Sequence, residues 1–403
     1  MTSGVRWLSV GPGSGYGDAG LAYRAGLRAA GIPVSWTPLG WPSPTWNAPH
    51  GPVEAGDTRG FAQDIAGEAI EHDTVVVQSP PLWHSRLLEE ADGRALVAFT
   101  TWETDRLPPD RVDILNRYDR VIVPSRFNAS VFKESGVRSP VSIVPHIVRP
   151  ALASRRRRRK SGRFLFYLIA TWTTRKAIPD AVSAFVLAFT AHDQVELVIH
   201  TTPEDHIACA RSQRSGTPHA PAEAETWFTL ARVLAGRRSV PLVRLSTRVL
   251  DPKELDDLHA ESDCFLLLSH GEGWGLGAFD AAAFGNPVVV TGWGGTLDFL
   301  PNGYPYCVDC DLVPTITAEP DAWWAPRLGE RWADARIDHA AQLLRRVFEC
   351  REEGKEWGAA LRSHVHELFN QARVTSALIA ALDGADRANA TITGLAGDSE
   401  PRP

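Results

Sequence analysis

The chain has 403 residues, 44% hydrophobic and 22% charged, with a formal net charge of −6. That length favours two domains over one, and the acidic balance excludes a general electrostatic pull toward nucleic acid or an anionic membrane. No uncharged apolar run approaches the ~20 residues that span a bilayer, and the N-terminus lacks the basic-then-apolar pattern of a secretory signal. Five scattered cysteines are too few for a disulfide scaffold and fit a reducing cytoplasm. Cys307 and Cys310 form a single Cys-x-x-Cys with no second pair near it, a weak zinc or redox signal against incidental packing. The excess of arginine over lysine, with many alanines, fits a GC-rich bacterial genome.

In chain order, Val5–Val10 reads as a buried strand. It runs into Gly11-Pro-Gly13-Ser-Gly15-Tyr-Gly17-Asp-Ala-Gly20, a glycine loop, and then a helix over Leu21–Ala30. A dinucleotide-binding fingerprint wants an acid at the end of the next strand, and Pro33–Thr37 is followed by none, so that reading loses its weight. Residues 38–60 read as a loop, with Trp41 and Trp46 standing either as sugar-stacking aromatics or as loop anchors. Thr74–Gln78 and Ala95–Thr100 are further strands. The second ends in Thr101-Trp102-Glu103-Thr104-Asp105-Arg106, at the end of a parallel strand where ligands bind. Glu103 is therefore a candidate acceptor contact or base, and Asp105 and Arg106 read as solvated charges. Val121–Pro124 is a strand, Ser125 caps a helix to Glu134, and Val141–Val144 is the last strand of this half, with His146 beyond it read as structural rather than catalytic. Residues 149–163 form a linker in which the like-charged run Arg155–Arg159 is a solvated stretch.

The second half opens with a strand, Arg163–Ala170, followed by Arg175-Lys176 and a helix from Pro179 to about Thr190. A guanidinium and an ammonium at a strand's carboxyl end are a metal-free means of holding charge on a leaving phosphate. Val195–His200 is a strand, 203–226 an irregular excursion, and Pro241–Leu245 a strand leading to Arg248 and Val249. Asp251 starts a helix through about Ser262. Residues 264–295 then give a strand at Phe265–Leu268, glycines at 271, 273, 275 and 277, a helix over Ala278–Phe284 and a strand at Pro287–Val290. Such a loop offers backbone N–H groups at a helix N-terminus, a seat for a phosphate. The flanking carboxylates Glu272 and Asp280 are suited to sugar or ribose hydroxyls. Residues 303–324 read as a loop, Ala333–Arg351, Glu356–Phe369 and Val374–Leu382 as helices, and 384–403 as a mobile tail.

The run Ser269-His270-Gly271-Glu272-Gly273-Trp274-Gly275-Leu276-Gly277-Ala-Phe-Asp280, followed by Gly285-Asn-Pro-Val-Val, resembles the E-x7-E signature of retaining GT-B glycosyltransferases of family four. Asp280 stands where that family usually has Glu. Arg175–Lys176 and the glycine segment 11–20 resemble the same family, and the likeness covers about residues 5–382. It implies an α/β fold of two Rossmann-like domains facing across a cleft. The expected division is an acceptor domain over 1–150, a donor domain over 151–365, a helix at 366–383 packing back on the first domain, and a tail at 384–403. It also implies a UDP- or GDP-sugar donor, retention, and no obligatory metal or cofactor.

By resemblance, Arg175, Lys176 and the helix N-terminus at Gly275–Ala278 hold the diphosphate, Asp280 takes ribose hydroxyls, and Glu272 faces the donor sugar. Gly15 and Gly17 face the diphosphate, backbone near Arg248 and Val249 frames the base, and His270, Gly273, Trp274 and Leu276 complete the donor loop. The expected partners are the nucleotide-sugar and a sugar or aglycone acceptor, without nucleic acid or a membrane span. An epimerase or hydrolase on the same scaffold and a non-catalytic sugar-nucleotide-binding subunit are the alternatives.

Overall fold

The computed structural model describes residues 2–11, 14–39, 70–149, 162–202, 206–207, 222–317 and 329–384. The chain divides into two compact units, Met1–Val148 with Leu368–Pro403, and Arg149–Glu367. Trp41, Trp46, the Arg155–Arg159 run and residues 385–403 lie outside the described residues.

The first unit contains β1 (Val5–Val10), α1 (Gly15–Ala29), β2 (Val34–Leu39), β3 (Thr74–Gln78), β4 (Ala95–Phe99), α2 (Pro109–Leu115), β5 (Arg120–Val123), α3 (Arg126–Glu134) and β6 (Val141–Ile143). Its strands form one parallel sheet in the order β2-β1-β3-β4-β5-β6. Helices cover both faces of such a sheet, so its central strands are apolar without alternation. Trp7, Leu8, Val75, Val76 and Val77 are all fully buried. The Trp7 indole N–H donates to Gln78 Oε1 at 2.9 Å, which satisfies its one polar atom inside the core.

Helix α1 begins at Gly15, not at Leu21, so the expected loop is largely the helix's first turns. Ser14 is the reason: its hydroxyl accepts the Gly17 N–H at 3.1 Å and caps the helix. Gly20 serves close packing, since a Cβ there would lie 2.3 Å from Gln78 Oε1.

The second unit contains β7 (Phe164–Ile169), α4 (Ile178–Ala188), β8 (Val195–His200), α5 (Ala222–Leu234), β9 (Leu242–Ser246), α6 (Pro252–Glu261), β10 (Cys264–Leu267), α7 (Leu276–Phe284) and β11 (Val288–Thr291). Then follow β12 (Cys307–Val308), β13 (Cys310–Pro314), β14 (Arg331–Ala335), α8 (Ile337–Glu349) and α9 (Arg351–Leu368). The main sheet is again parallel, in the order β12-β11-β10-β7-β8-β9. Its core is aromatic: Phe166 packs on Phe185 and Phe189, with centroids 5.7 and 5.4 Å away, and Phe348 of α8 meets Phe189 edge-on. Asp251 caps α6 in a reciprocal box with Glu254.

Three expectations are corrected here. The excursion at 203–226 ends in helix α5, which starts at Ala222. The loop at 303–324 contains β12 and β13. The helix expected from Ala333 starts at Ile337, because 331–335 is a strand pairing antiparallel with β13, Leu312 opposite Ala333. Pairing overrides the helical lean of an alanine- and charge-rich segment, and it buries Trp332 and Ala333.

The last helix, α10 (Gln371–Leu382), belongs to the first unit and packs on α1. A Cβ on Gly26 of α1 would lie 2.2 Å from Thr375 Oγ1 of α10, so glycine sets that approach. The four described cysteines, Cys264, Cys307, Cys310 and Cys350, are free thiols. Among the described residues no helix is long and apolar enough to cross a membrane.

Helix α9 crosses the end of α7 at Gly358, where a Cβ would lie 2.1 Å from the Gly285 carbonyl oxygen. Backbone cannot yield as a flexible side chain can. Gly358→Ala is expected to lower stability by about 3 kcal/mol, the upper range for overpacking. Urea unfolding reads this directly, and an unchanged midpoint would refute the contact.

Candidate functional site

In a doubly wound sheet, ligands bind outside the carboxyl ends of the strands, where the strand order reverses and two loops diverge. In the second unit that reversal lies between β7 and β10. The loop after β7 carries Arg175 and Lys176, and the loop after β10 carries residues 268–275. The sequence thus places its cation pair and its glycine loop on the two strands that flank the reversal.

Hydrogen bonds stitch the two loops together. The His270 N–H donates to the Arg175 carbonyl at 2.8 Å. The Ser269 hydroxyl lies 3.1 Å from the same oxygen, and Arg175 Nη1 donates to the Gly271 carbonyl at 2.7 Å. Thr291 at the end of β11 donates to the Ser269 carbonyl at 2.8 Å. The Glu272 carbonyl accepts from the Gly295 N–H at 2.8 Å. Gly294, at φ +94°, allows this approach, since a Cβ there would lie 3.0 Å from the same carbonyl oxygen.

At the centre, Lys176 Nζ lies 2.5 Å from Glu272 Oε1, and Arg175 Nη1 lies 3.6 Å from the same oxygen. Burial alone raises the Glu272 carboxyl, but the charges of Lys176 and Arg175 outweigh it and hold the group below its usual range. Two cations against one carboxylate leave a net positive charge in a largely buried place, which suits an anionic ligand. Helix α7 starts next to it. Its N-cap is Gly275 at φ +87°, with no side-chain cap and no acid in the first turn. The first N–H groups and the positive end of the helix dipole are therefore available to a phosphate.

Asp280 sits on α7, and its Oδ2 is 3.1 Å from Arg149 Nη2. The same guanidinium nitrogen is 3.1 Å from Asp256 Oδ1 of α6. Asp280 thus has a cationic neighbour that the sequence reading did not name. Leu276 and Gly273 lie on the same loop and helix start. The Trp274 indole packs into the core against Phe279 and Phe299, with centroids 5.3 and 5.5 Å away, so the ring is a loop anchor. The His270 ring stacks on Trp332 at 4.7 Å, and its Nδ1 is 2.6 Å from the Ala333 carbonyl oxygen. Arg248 and Val249 lie beyond β9, two strands from the cation pair; Arg248 pairs with Glu254 at 2.6 Å, and Val249 is 80% exposed.

The remaining candidates belong to the first unit. Gly15 and Gly17 form the first turn of α1, beyond the end of β1. Glu103 is half-buried in the loop after β4. That loop is fixed by the Trp102 indole, which donates to Thr104 Oγ1 at 2.7 Å, and by Asn128 Nδ2, which donates to the Trp102 carbonyl at 2.6 Å. Asp105 and Arg106 pair with each other at 3.3 Å. His146 lies 2.9 Å from the Tyr23 hydroxyl, and burial pushes its pKa down to about 3, as befits a neutral core histidine.

Arg149 and Asp256 were missed. Arg149 reads as the edge of a basic linker, and nothing local marks its aim at α7. Ser269 and Thr291, polar residues at strand ends, carried a signal of the kind that singled out Glu103.

The chain matches the family model described as Family 4 Glycosyltransferase in conflict systems over residues 123–378, more than half its length. Among solved structures it is similar to sucrose-phosphate synthase from Thermosynechococcus elongatus, with a TM-score of 0.63 at 15% identity, covering 95% of this chain and 100% of that one. The α,α-trehalose 6-phosphate synthase of Burkholderia multivorans gives 0.60 at 14% identity, covering 96% and 100%. A variant of S. aureus TarM in complex with fondaparinux, α-GlcNAc-glycerol and UDP gives 0.52 at 10% identity, covering 77% of this chain and 55% of TarM. The chain therefore spans about half the length of TarM. At these identities the likeness is one of fold, the GT-B pairing of two Rossmann-like units. No curated protein matches the chain.

Proposed function

The chain belongs to the family 4 glycosyltransferases of conflict systems, and from that premise we propose that it moves a sugar from a nucleoside-diphosphate donor to a hydroxyl acceptor with retention. The observation that carries this reading is the Arg175–Lys176–Glu272 cluster beside the uncapped start of α7. An arriving diphosphate draws Arg175 and Lys176 toward itself, and the first N–H groups of α7 bind its oxygens. Asp280, steadied by Arg149, accepts the ribose hydroxyls. The bond from the anomeric carbon to the bridging phosphate oxygen breaks, and its electron pair stays on that oxygen. Arg175 and Lys176 hold the growing charge in a fixed frame, and Glu272 faces the positive charge spreading over the sugar ring. The acceptor oxygen bonds to the anomeric carbon on the face the phosphate leaves, and its proton passes to the departing phosphate. The chain's own cations carry the charge, so this route asks for no metal at the diphosphate.

UDP is the favoured nucleotide, since a similar fold carries UDP in the TarM complex; GDP is the competitor. The acceptor is a sugar or small aglycone hydroxyl, contacted by Glu103, and the compartment is the cytoplasm. Calorimetry with UDP, GDP, ADP and NAD, without added metal, is the first test. Binding of one nucleoside diphosphate, followed by NMR of a product whose anomeric configuration matches the donor's, supports the reading. Preference for NAD, or an inverted product, overturns it. Conversion of the donor without acceptor would point to an epimerase or hydrolase instead.

A further inference from the structure

We propose that Asp180, His270 and Asp334 form a binding site for a first-row divalent cation, zinc or manganese, separate from the Arg175–Lys176–Glu272 cluster. The three come from three elements: the first turn of α4, the loop after β10, and β14. Their ligand atoms all lie within 4.8 Å of one another.

The histidine is set up as a metal ligand. Its Nδ1 is 2.6 Å from the Ala333 carbonyl oxygen, which can only accept, so Nδ1 donates there and Nε2 is the ring nitrogen left to meet a metal. The ring is stacked on Trp332 with an interplanar angle of 16°, and the backbone N–H is bonded to the Arg175 carbonyl. An imidazole oriented through its other nitrogen by a backbone carbonyl is the support that metal-bound histidines require.

The cluster is not closed by its own members. Among the described residues, no hydrogen bond and no ion pair within 4.0 Å ties the Asp180 or Asp334 side chain to His270 or to any other group. Asp180 is half-buried; burial is the largest cause that raises its carboxyl, the neighbouring His270 opposes the rise, and Asp334 adds to it. Two facing carboxylates, one of them desolvated, beside an imidazole nitrogen make a place whose charge a dication balances. Two oxygens and one nitrogen, with further positions open to water, suit zinc or manganese. At bonds of about 2.0–2.2 Å, ligand atoms on one ion stand about 3–4 Å apart, so binding draws these three together by about 1 Å. Asp334 is exposed on the β13–β14 ribbon and has room to make that movement.

Bound there, the cation ties α4, the glycine loop and the ribbon to one point. Asp180 follows Lys176 by four positions, and His270 precedes Glu272 by two. The ion would fix the two loops that carry the donor cluster without touching the reacting phosphate.

The test uses the full chain, stripped with a chelator and titrated with zinc and then manganese by calorimetry, with no nucleotide present. One equivalent should bind, and the thermal midpoint should rise by a few degrees. Asp334→Asn and Asp180→Asn should each weaken binding by about 10-fold or more and abolish the midpoint rise, with circular dichroism unchanged from the parent. Absence of saturable binding near one equivalent overturns the proposal. Binding unaltered in both variants also overturns it. The inference does not rest on the transferase reading, and its failure leaves that reading standing.

Discussion

Lys176→Ala is expected to lower kcat by about 10²-fold or more, the scale for losing one preorganised electrostatic partner at a developing charge. Two consequences combine. The leaving phosphate loses an ammonium that the fold holds in place, and Glu272 loses its nearest cation. Lys176 lies 2.5 Å from the Glu272 carboxylate and Arg175 lies 3.6 Å from it, so the weaker Arg175 contact and the Ser269 hydrogen bond remain to offset burial. The Glu272 carboxyl then moves up from its depressed position, since burial is the largest influence on it once the charges are thinned. Glu272→Ala should lose turnover on a similar scale. Because the two side chains act on one another, the losses should not multiply, and the double variant should fall little below the worse single one. Steady-state kinetics of the three variants with the preferred sugar nucleotide decides the matter. Near-normal turnover in both single variants would remove the cluster from the mechanism. Lys176→Arg is not a neutral control, since a forked guanidinium meets the carboxylate and a phosphate with different geometry.

How much of this was legible follows from what each feature depends on. The donor loop was readable because strand, glycine loop and helix start are consecutive in the chain, and each announces itself by residue type. Arg175 and Lys176 were readable for the same reason, placed just past an apolar run. Their ion pairs with Glu272 span 96 and 97 sequence positions, yet the reversal of strand order between β7 and β10 brings them together whatever lies between. Glycine misled where it served packing. Gly15, Gly17 and Gly20 suggested a loop, but a serine cap and a crowded Gln78 place them in a helix. The ribbon at β13 and β14 was hidden because Arg331–Ala335 has a helical composition, and only its antiparallel pairing with β13 reveals the strand. Arg149, aimed at Asp280 across more than a hundred residues, had no local signal at all.

Acidification from pH 7 to pH 5 is expected to destabilise both units through three buried histidines. Burial pushes His84 down to about 4, and His146 and His259 down to about 3, with the Arg111 charge adding to the shift at His84 and Arg149 to that at His259. In the unfolded chain each would titrate near 6.5. The unfolded state therefore binds more protons below that pH, and stability falls as pH falls. The contribution is complete above about pH 6.5 and drains away toward the folded values, at up to about 1.4 kcal/mol per pH unit for each histidine. At pH 5 that amounts to roughly 2 kcal/mol each, a large share of the margin by which a domain is stable. The depressed Glu272 carboxyl works with the same sign in a lower window: its contribution holds above the unfolded carboxyl value of ~4.3 and is lost as pH falls through the folded one. His84 and His146 belong to the first unit and His259 to the second, so the two should respond separately. His259 accepts or donates at 2.7 Å to the Tyr167 hydroxyl, and Asn286 bonds to both that hydroxyl and the His259 carbonyl. His259→Gln retains a polar partner for Tyr167 without a group that titrates in this range. Thermal melts of the parent and this variant between pH 7 and 5 should show a shallower slope for the second unit's transition in the variant. A parent midpoint that does not move over that range would mean these histidines are solvated or already charged, and that the packing drawn around them is wrong.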